Sequence, residues 1–496
     1  MVNLFSENHI DSRFIKEKTV RGIFASLIAS LFCVLIGFTG NIVLARHLDP
    51  IIFGAFGIII FVAQQIPVVL FDLGLPDALI QKKKPLNQKE LSTVFTINAV
   101  VAVIFVALIY FLAPKLADYY QIDSLGPWLF RIFSLGIFGF LLESIPLTLL
   151  KRKISFARIS LVSSVGIVSF NLATITFVFL GFGLMGLILG VLVAKAISLF
   201  FLFRLQTWKI SFNFDLKELN KLFSFGLPLR GTALVGLISL SIVPILIGSV
   251  SGLAAVGYFN FADRISNLFL IAPSIIGVIL FPSLSRAQNN PALFKQIIEK
   301  SIEWMSFLIF PCAAIFIALS LQVVSLFFTD KWLPAITIVN LSVLTVVITS
   351  IGGVITQALF SLGEAKLILK ITLLTTLLQW IISLALISAY GYNGVAFSRL
   401  IVSLTALLPF IILRRKIRLD LFDKVFPYFS TALISAFIVS LLVPHFIKGI
   451  PTLTLLFAIG LGVYLLLLAP FKIKYLWHDG LKIKGLLLAK SPMIQK

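Results

Sequence analysis

The sequence predicts an all-α polytopic membrane protein of fourteen transmembrane helices, arranged as two parallel six-helix lobes plus two extra helices. Three observations carry this: the composition, the spacing of the apolar runs and the sidedness of Lys and Arg. Of 496 residues 59% are hydrophobic and 12% charged, too few polar groups to coat a soluble protein of this length. Runs of the roughly 20 apolar residues that span a bilayer lie near 22–44, 52–80, 91–113, 128–150, 157–180, 184–203, 222–248, 254–284, 302–328, 335–361, 367–389, 394–413, 425–444 and 452–470. With the N-terminus cytoplasmic, the loops joining odd to even helices hold only Arg46, Lys115, Lys331 and Lys448, while the opposite side holds 32 of the 41 Lys and Arg. That asymmetry follows the positive-inside rule and places both termini in the cytoplasm.

Taken in order, the polar and basic segment 1–21 lacks the early apolar core of a signal peptide, so the first membrane helix is expected to direct insertion. An N-lobe over 22–203, a cytoplasmic linker over 204–221 and a C-lobe over 222–413 follow. The last two helices occupy 414–470, and a basic cytoplasmic tail, 471–496, alternates lysines with leucines and Trp477 as an interfacial segment would. The lobes read as copies. An offset of 203 lays Gly54, Phe56 and Asn87 on Gly257, Phe259 and Asn290, and an offset of 208 lays Gly183, Gly186 and Leu192 on Gly391, Gly394 and Leu400. An even number of helices per copy keeps the repeats parallel, a plan known among transporters.

The same pattern excludes several functions. The net charge of +21 is spread over eight cytoplasmic segments, which suits membrane orientation and anionic headgroups better than nucleic acid. Cys33 and Cys312 sit in apolar runs, and His9, His47, His445 and His478 are scattered, so neither disulfide nor metal site is expected. Gly181–Gly186 spells GxGxxG, but a membrane helix precedes it and no βαβ context surrounds it; it reads as a periplasmic turn. No phosphate-binding loop, cofactor site or catalytic residue is expected.

Charges inside the membrane are the informative set, because such groups are costly and normally face a bundle interior or a wet cavity. The bases are Arg131, Lys195, Arg230, Arg264 and Arg399; the acids are Asp72, Glu143 and Asp263, with Asp77 nearer a helix end. Arg131 also lies near an end. Bases outnumber deep acids, and the charges do not follow the repeat: Lys195 falls on Ser403, Arg230 on Leu27 and Arg264 on Phe61. A cavity of net positive character suited to an anionic substrate follows, with Arg230, Arg264, Arg399 and Lys195 as candidate contacts. Asp263, Asp72 and Glu143 are candidates for ion coupling or for buried pairing with a base.

The stretch Gly257-Tyr258-Phe259-Asn260-Phe261-Ala262-Asp263-Arg264-Ile265, followed by Phe281-Pro282, Ser285-Arg286 and Gln288, resembles the polysaccharide-transporter family of the multidrug/oligosaccharidyl-lipid/polysaccharide superfamily. That family includes Wzx-type flippases and colanic- and teichuronic-acid exporters, and the likeness extends over essentially the whole chain. It implies a non-enzymatic flippase of the bacterial cytoplasmic membrane. Its substrate would be an undecaprenyl-diphosphate-linked oligosaccharide for O-antigen, capsule or exopolysaccharide, moved by alternating access. Membrane lipids and a polysaccharide polymerase or export machinery would be its partners. A lipid II flippase also predicts a basic cavity, whereas a multidrug or cation antiporter of the superfamily would favour acids there. A polymerase or ligase would need a large periplasmic loop.

Reporter fusions test the topology. Those after Lys115 and Lys331 should read periplasmic and those after Lys89 and Arg418 cytoplasmic; a cytoplasmic reading at Lys331 would break the two-lobe arrangement.

Overall fold

The computed structural model describes residues 32–71, 74–82, 86–153, 155–215, 231, 233–446 and 449–470, and these hold helices and connecting turns without a strand. The first described helix, α1 (Phe32–His47), is apolar and short; the expected start of this helix near residue 22 lies outside the described residues. Thirteen helices long and apolar enough to cross a membrane follow among the described residues: α2 (Pro50–Leu70), α3 (Gln88–Tyr119), α4 (Gly126–Arg152), α5 (Phe156–Phe179), α6 (Gly183–Leu205), α7 (Ala233–Val250), α8 (Gly252–Ala287), α9 (Pro291–Phe328), α10 (Asp330–Ser361), α11 (Ala365–Tyr390), α12 (Tyr392–Arg415), α13 (Phe422–Pro444) and α14 (Ile450–Leu468). Large apolar side chains such as Val103, Ile104 and Phe111 of α3 stay exposed, as a lipid-facing surface requires.

The repeat is visible in local chemistry. Asn87 caps α3 by accepting from the backbone N–H of Glu90, and Asn290 caps α9 by accepting from that of Leu293. Each thereby satisfies one of the free amides at a helix start. Gly183 and Gly391, at the paired turns, both take positive φ (51° and 56°). Three residues on, Gly186 and Gly394 let α6 and α12 approach the backbone of the preceding helix, at Phe177–Val178 and Leu386–Ile387.

Two compact units share the chain: Met1–Arg264 with Leu369–Val402, and Ile265–Ile368 with Ser403–Lys496. In the first, α2 crosses α8 at backbone contact. A methyl group on Gly54 would overlap the carbonyl oxygen of Leu253, and one on Gly257 would overlap that of Pro50. Since 54 pairs with 257 and 50 with 253 under the offset of 203, the contact is two-fold symmetric. Gly57 in turn makes room for the side chain of Asn260, its own repeat partner, and Asn260 donates to the carbonyl of Phe53 at 3.2 Å. Elsewhere in this unit the chain after α6 runs in extended form along α3. Gln88 donates to the carbonyl of Lys209 at 2.8 Å, and the Asn213 amide donates to the Thr96 hydroxyl at 3.1 Å.

In the second unit, α9 and the start of α13 are clamped by two ladders with a four-residue step. Lys295 bonds Asp420 at 2.5 Å; Glu299, 4% exposed, takes Lys424 and the Asp420 amide; Glu303, 1% exposed, takes the Tyr428 hydroxyl at 3.0 Å. The Lys295 bond holds the Asp420 carboxyl below the usual carboxylate range. Helix α14 joins through Tyr464, whose hydroxyl donates to the Phe307 carbonyl at 3.2 Å. The two helices outside the repeat are thus fastened to α9.

The α2–α8 crossing has no room for a side chain. Gly54→Ala and Gly257→Ala should each cost about 1–3 kcal/mol, the usual penalty of overpacking, read as a fall in the unfolding midpoint in nanodiscs. Gly236→Ala in α7, where a methyl group meets open space, is the control and should change little.

Candidate functional site

Helix α8 carries Asp263 and Arg264 side by side, and successive residues on a helix point about 100° apart. The structure resolves them onto different partners. Asp263 accepts from Arg399 of α12 at 2.8 Å, and the Arg399 guanidinium lies 5.1 Å from the Phe259 ring centre. Arg264 turns the other way and donates to the side-chain oxygen of Asn41 in α1, with its guanidinium 5.1 Å from the ring of Phe53 in α2. Both cations therefore pair a polar partner with an aromatic face, an arrangement that stabilises a guanidinium away from bulk water. One turn toward the start of α8, Asn260 faces the same way as Arg264 and binds the Phe53 carbonyl. The two residues form a polar stripe with the four-residue spacing of one helix face.

Arg399 is placed by a buried polar cluster that the sequence reading passed over. Gln379 of α11 donates to Ser383 at 3.0 Å and to Ser398 at 2.6 Å, and the two serines are 2.7 Å apart. Ser398 directly precedes Arg399, so the cluster fixes the rotation of α12 against α11. These residues are uncharged; their only trace in the sequence is Gln379 four residues before Ser383 in an apolar run.

Lys195 of α6 and Glu143 of α4 are paired with each other, and the Lys195 ammonium lies 3.5 Å from the centre of the Phe140 ring. A methyl group on Gly139 would strike the Lys195 stem, so that glycine makes the room the lysine occupies. Lys195 borders a cavity of about 310 Å³ lined also by Gln64, Phe133, Phe140, Ser163 and Ser198. Gln64 belongs to a wide, π-helical turn of α2, Phe61–Gln65, an irregularity that often accompanies functional sites. Arg131, near the start of α4, donates to the Tyr110 carbonyl at 3.2 Å and stacks on the rings of Tyr110 and Trp128. Arg230 and Asp72 lie outside the described residues.

The charges thus sort by compensation. Two deep acids, Asp263 and Glu143, are bonded to Arg399 and Lys195. Arg264, among the described residues, has neutral partners only. A guanidinium offers five donors, and one amide oxygen leaves most of them, and the whole charge, for an anion.

Thirteen spanning helices among the described residues, with charges at membrane depth, define a multi-pass membrane protein. Residues 43–337 match the family described as polysaccharide biosynthesis protein, and the chain belongs to that family. It is similar to the lipopolysaccharide biosynthesis protein WzxC of Escherichia coli (strain K12), 22% identical over 90% of this chain and 88% of that protein. It is also similar to the teichuronic acid biosynthesis protein TuaB of Bacillus subtilis (strain 168), 25% identical over 60% of this chain and 62% of that protein. Its fold is similar to that of the lipid II flippase MurJ in an inward closed conformation, with a TM-score of 0.76 at 19% identity, covering 90% of this chain and 98% of the other. An inward-facing multidrug resistance MATE transporter matches with a TM-score of 0.62 at 16% identity, covering 79% and 98%.

The Asp263–Arg399 bond is open to a double-mutant cycle. Its side chains are 42% and 21% exposed, so Asp263→Asn or Arg399→Gln alone should cost about 1 kcal/mol, the upper range of partly solvated pairs. The double variant should cost less than the two losses added; strict additivity in the unfolding midpoints would show no coupling.

Proposed function

We propose that this protein is a flippase that carries oligosaccharide units, joined through a diphosphate to a polyprenyl carrier, across the bacterial cytoplasmic membrane during surface-polysaccharide assembly. The observation that carries the reading is Arg264, a cation at membrane depth whose described partners are neutral, in a chain of a polysaccharide biosynthesis family. The diphosphate is the part of such a substrate that hydrocarbon rejects most strongly, and a planar guanidinium meets it with parallel, charge-assisted hydrogen bonds. Arg230, Arg399 and Lys195 are the further cationic contacts, the last two already sharing their charge with Asp263 and Glu143. The lobes 22–203 and 222–413, joined by the linker 204–221, rock about the site while 414–470 stays with the second lobe. Both termini and the tail 471–496 are cytoplasmic, on the strength of the 32 Lys and Arg on that side. The work is translocation without bond breaking, so the protein is not an enzyme.

A lipid II flippase for peptidoglycan presents the same diphosphate to the same arginine. The relatives named for lipopolysaccharide and teichuronic acid biosynthesis favour the surface-polysaccharide reading. A cation antiporter fits less well, because the described deep acids are engaged by bases.

Export of the lipid-linked glycan, followed as surface polysaccharide in a strain lacking the native gene, tests this. Arg264→Ala should lower export roughly tenfold or more, the effect of truncating one partner of a desolvated charge contact, at normal membrane abundance. Arg264→Lys should recover part of it, keeping the charge but losing the fork. Full export by Arg264→Ala and Arg230→Ala would remove both from the site.

A further inference from the structure

We propose that Asn41 is a positioning residue that holds Arg264 in a latch across the α2–α8 crossing, and that the anionic group of the substrate opens the latch by taking Arg264 away. The inference rests on the functional reading above, because it needs Arg264 to meet a diphosphate.

The geometry puts the latch beside the close contact of the two repeats. Gly54 and Gly257 touch the opposing backbone at Leu253 and Pro50, near the starts of α2 and α8. Those starts lie on the side that holds four Lys and Arg against 32 opposite, which is the periplasmic side. Arg264 is seven residues further along α8 than Gly257, about 10 Å deeper at 1.5 Å per residue. Asn41 is six residues before the end of α1 at His47, about 9 Å deeper by the same rise. Arg264 therefore ties α8 to α1 through Asn41 and to α2 through the Phe53 ring, immediately beneath the glycine contact. Asn260 adds its bond to the Phe53 carbonyl.

The bond to Asn41 is the replaceable part. An amide oxygen is a neutral acceptor, whereas a phosphate carries the opposite charge and accepts two parallel bonds from a guanidinium. Asp263 is not in competition, being bonded to Arg399 on another side of the helix. A diphosphate reaching Arg264 from the cytoplasmic side supplies the missing counter-charge and frees α1 and α2 from α8. Loading then weakens the periplasmic closure. A ligand shifts a conformational equilibrium only through its differential affinity for the two states, and the exchange of Asn41 for phosphate is that difference. The latch is one-sided, because the repeat partner of Arg264 is Phe61.

The test uses the full chain in nanodiscs with Cys33→Ser and Cys312→Ser. Val256→Cys is the reporter, a position 1% exposed beside Gly257, labelled by a membrane-impermeant maleimide; Ala255→Cys, 2% exposed, serves if the first variant is unstable. Undecaprenyl diphosphate in the disc is the probe, with inorganic pyrophosphate as the soluble arm, and binding is measured separately. Undecaprenyl diphosphate should raise the labelling rate roughly fivefold, the low end of couplings between sites. Asn41→Ala should label fast without it, and Asn41→Asp, which gives Arg264 a permanent counter-charge, should label slowly and respond weakly. Binding with unchanged labelling, or basal labelling unaltered in both Asn41 variants, would overturn the latch alone. Failure of undecaprenyl diphosphate to bind at all would overturn the functional reading and the latch with it. A response to pyrophosphate equal to that of the lipid would confirm the anionic trigger and remove the polyprenyl chain from it.

Discussion

A cation held at membrane depth has to be paired, hydrogen-bonded or wet, because hydrocarbon offers its charge nothing. That requirement organises this protein's interior. Lys195 meets it with Glu143 and a phenyl face, and Arg399 with Asp263 and Phe259. Arg264 meets it with an amide and a ring, the least complete solution of the three. The helices around these groups are placed accordingly: α12 is rotated by the Gln379–Ser383–Ser398 cluster until Arg399 reaches α8, and Gly139 is bare so that the stem of Lys195 can pass.

Close approach is the second determinant. Without a hydrophobic drive between helices in lipid, small residues let backbones touch and gain dispersion contact. Gly54 and Gly257 do this for α2 and α8, and Gly186 and Gly394 do it for α6 and α12 against their predecessors. The fastening of α13 to α9 relies instead on buried carboxylates, Glu299 and Glu303. Lysines near the helix ends, Lys300 and Lys424, complete these ladders.

Much of this was legible beforehand. Helix order follows from hydropathy, which the lack of backbone partners in lipid makes a strict signal, and thirteen of the fourteen expected spans are of spanning length among the described residues. The repeat glycines were legible because backbone contact tolerates no other residue. Pairing was harder: nothing in the list of bases and acids joins Asp263 to Arg399 rather than to its neighbour Arg264, since the partners lie 136 residues apart. Asn41 and the Gln379 cluster were missed because neutral polar residues leave almost no mark on hydropathy or charge. Glu299 and Glu303 were not singled out, although the four-residue steps of Lys295, Glu299 and Glu303 were there to be seen.

The symmetric crossing of α2 and α8 has a consequence for how such a chain could arise. Gly57 and Asn260 are repeat equivalents that touch each other, so the pseudo-two-fold axis passes between them. In a homodimer of one ancestral half, every residue near that axis would face its own copy. An arginine one turn deeper would there confront a second arginine, and the two like charges would repel in a poorly screened setting. Fusing the halves into one polypeptide removes that constraint. One copy was then free to acquire Arg264 while the other carries Phe61 at the matching place. In a single polypeptide, Arg264 beside the axis meets no like charge at the matching place, which two identical copies could not have arranged.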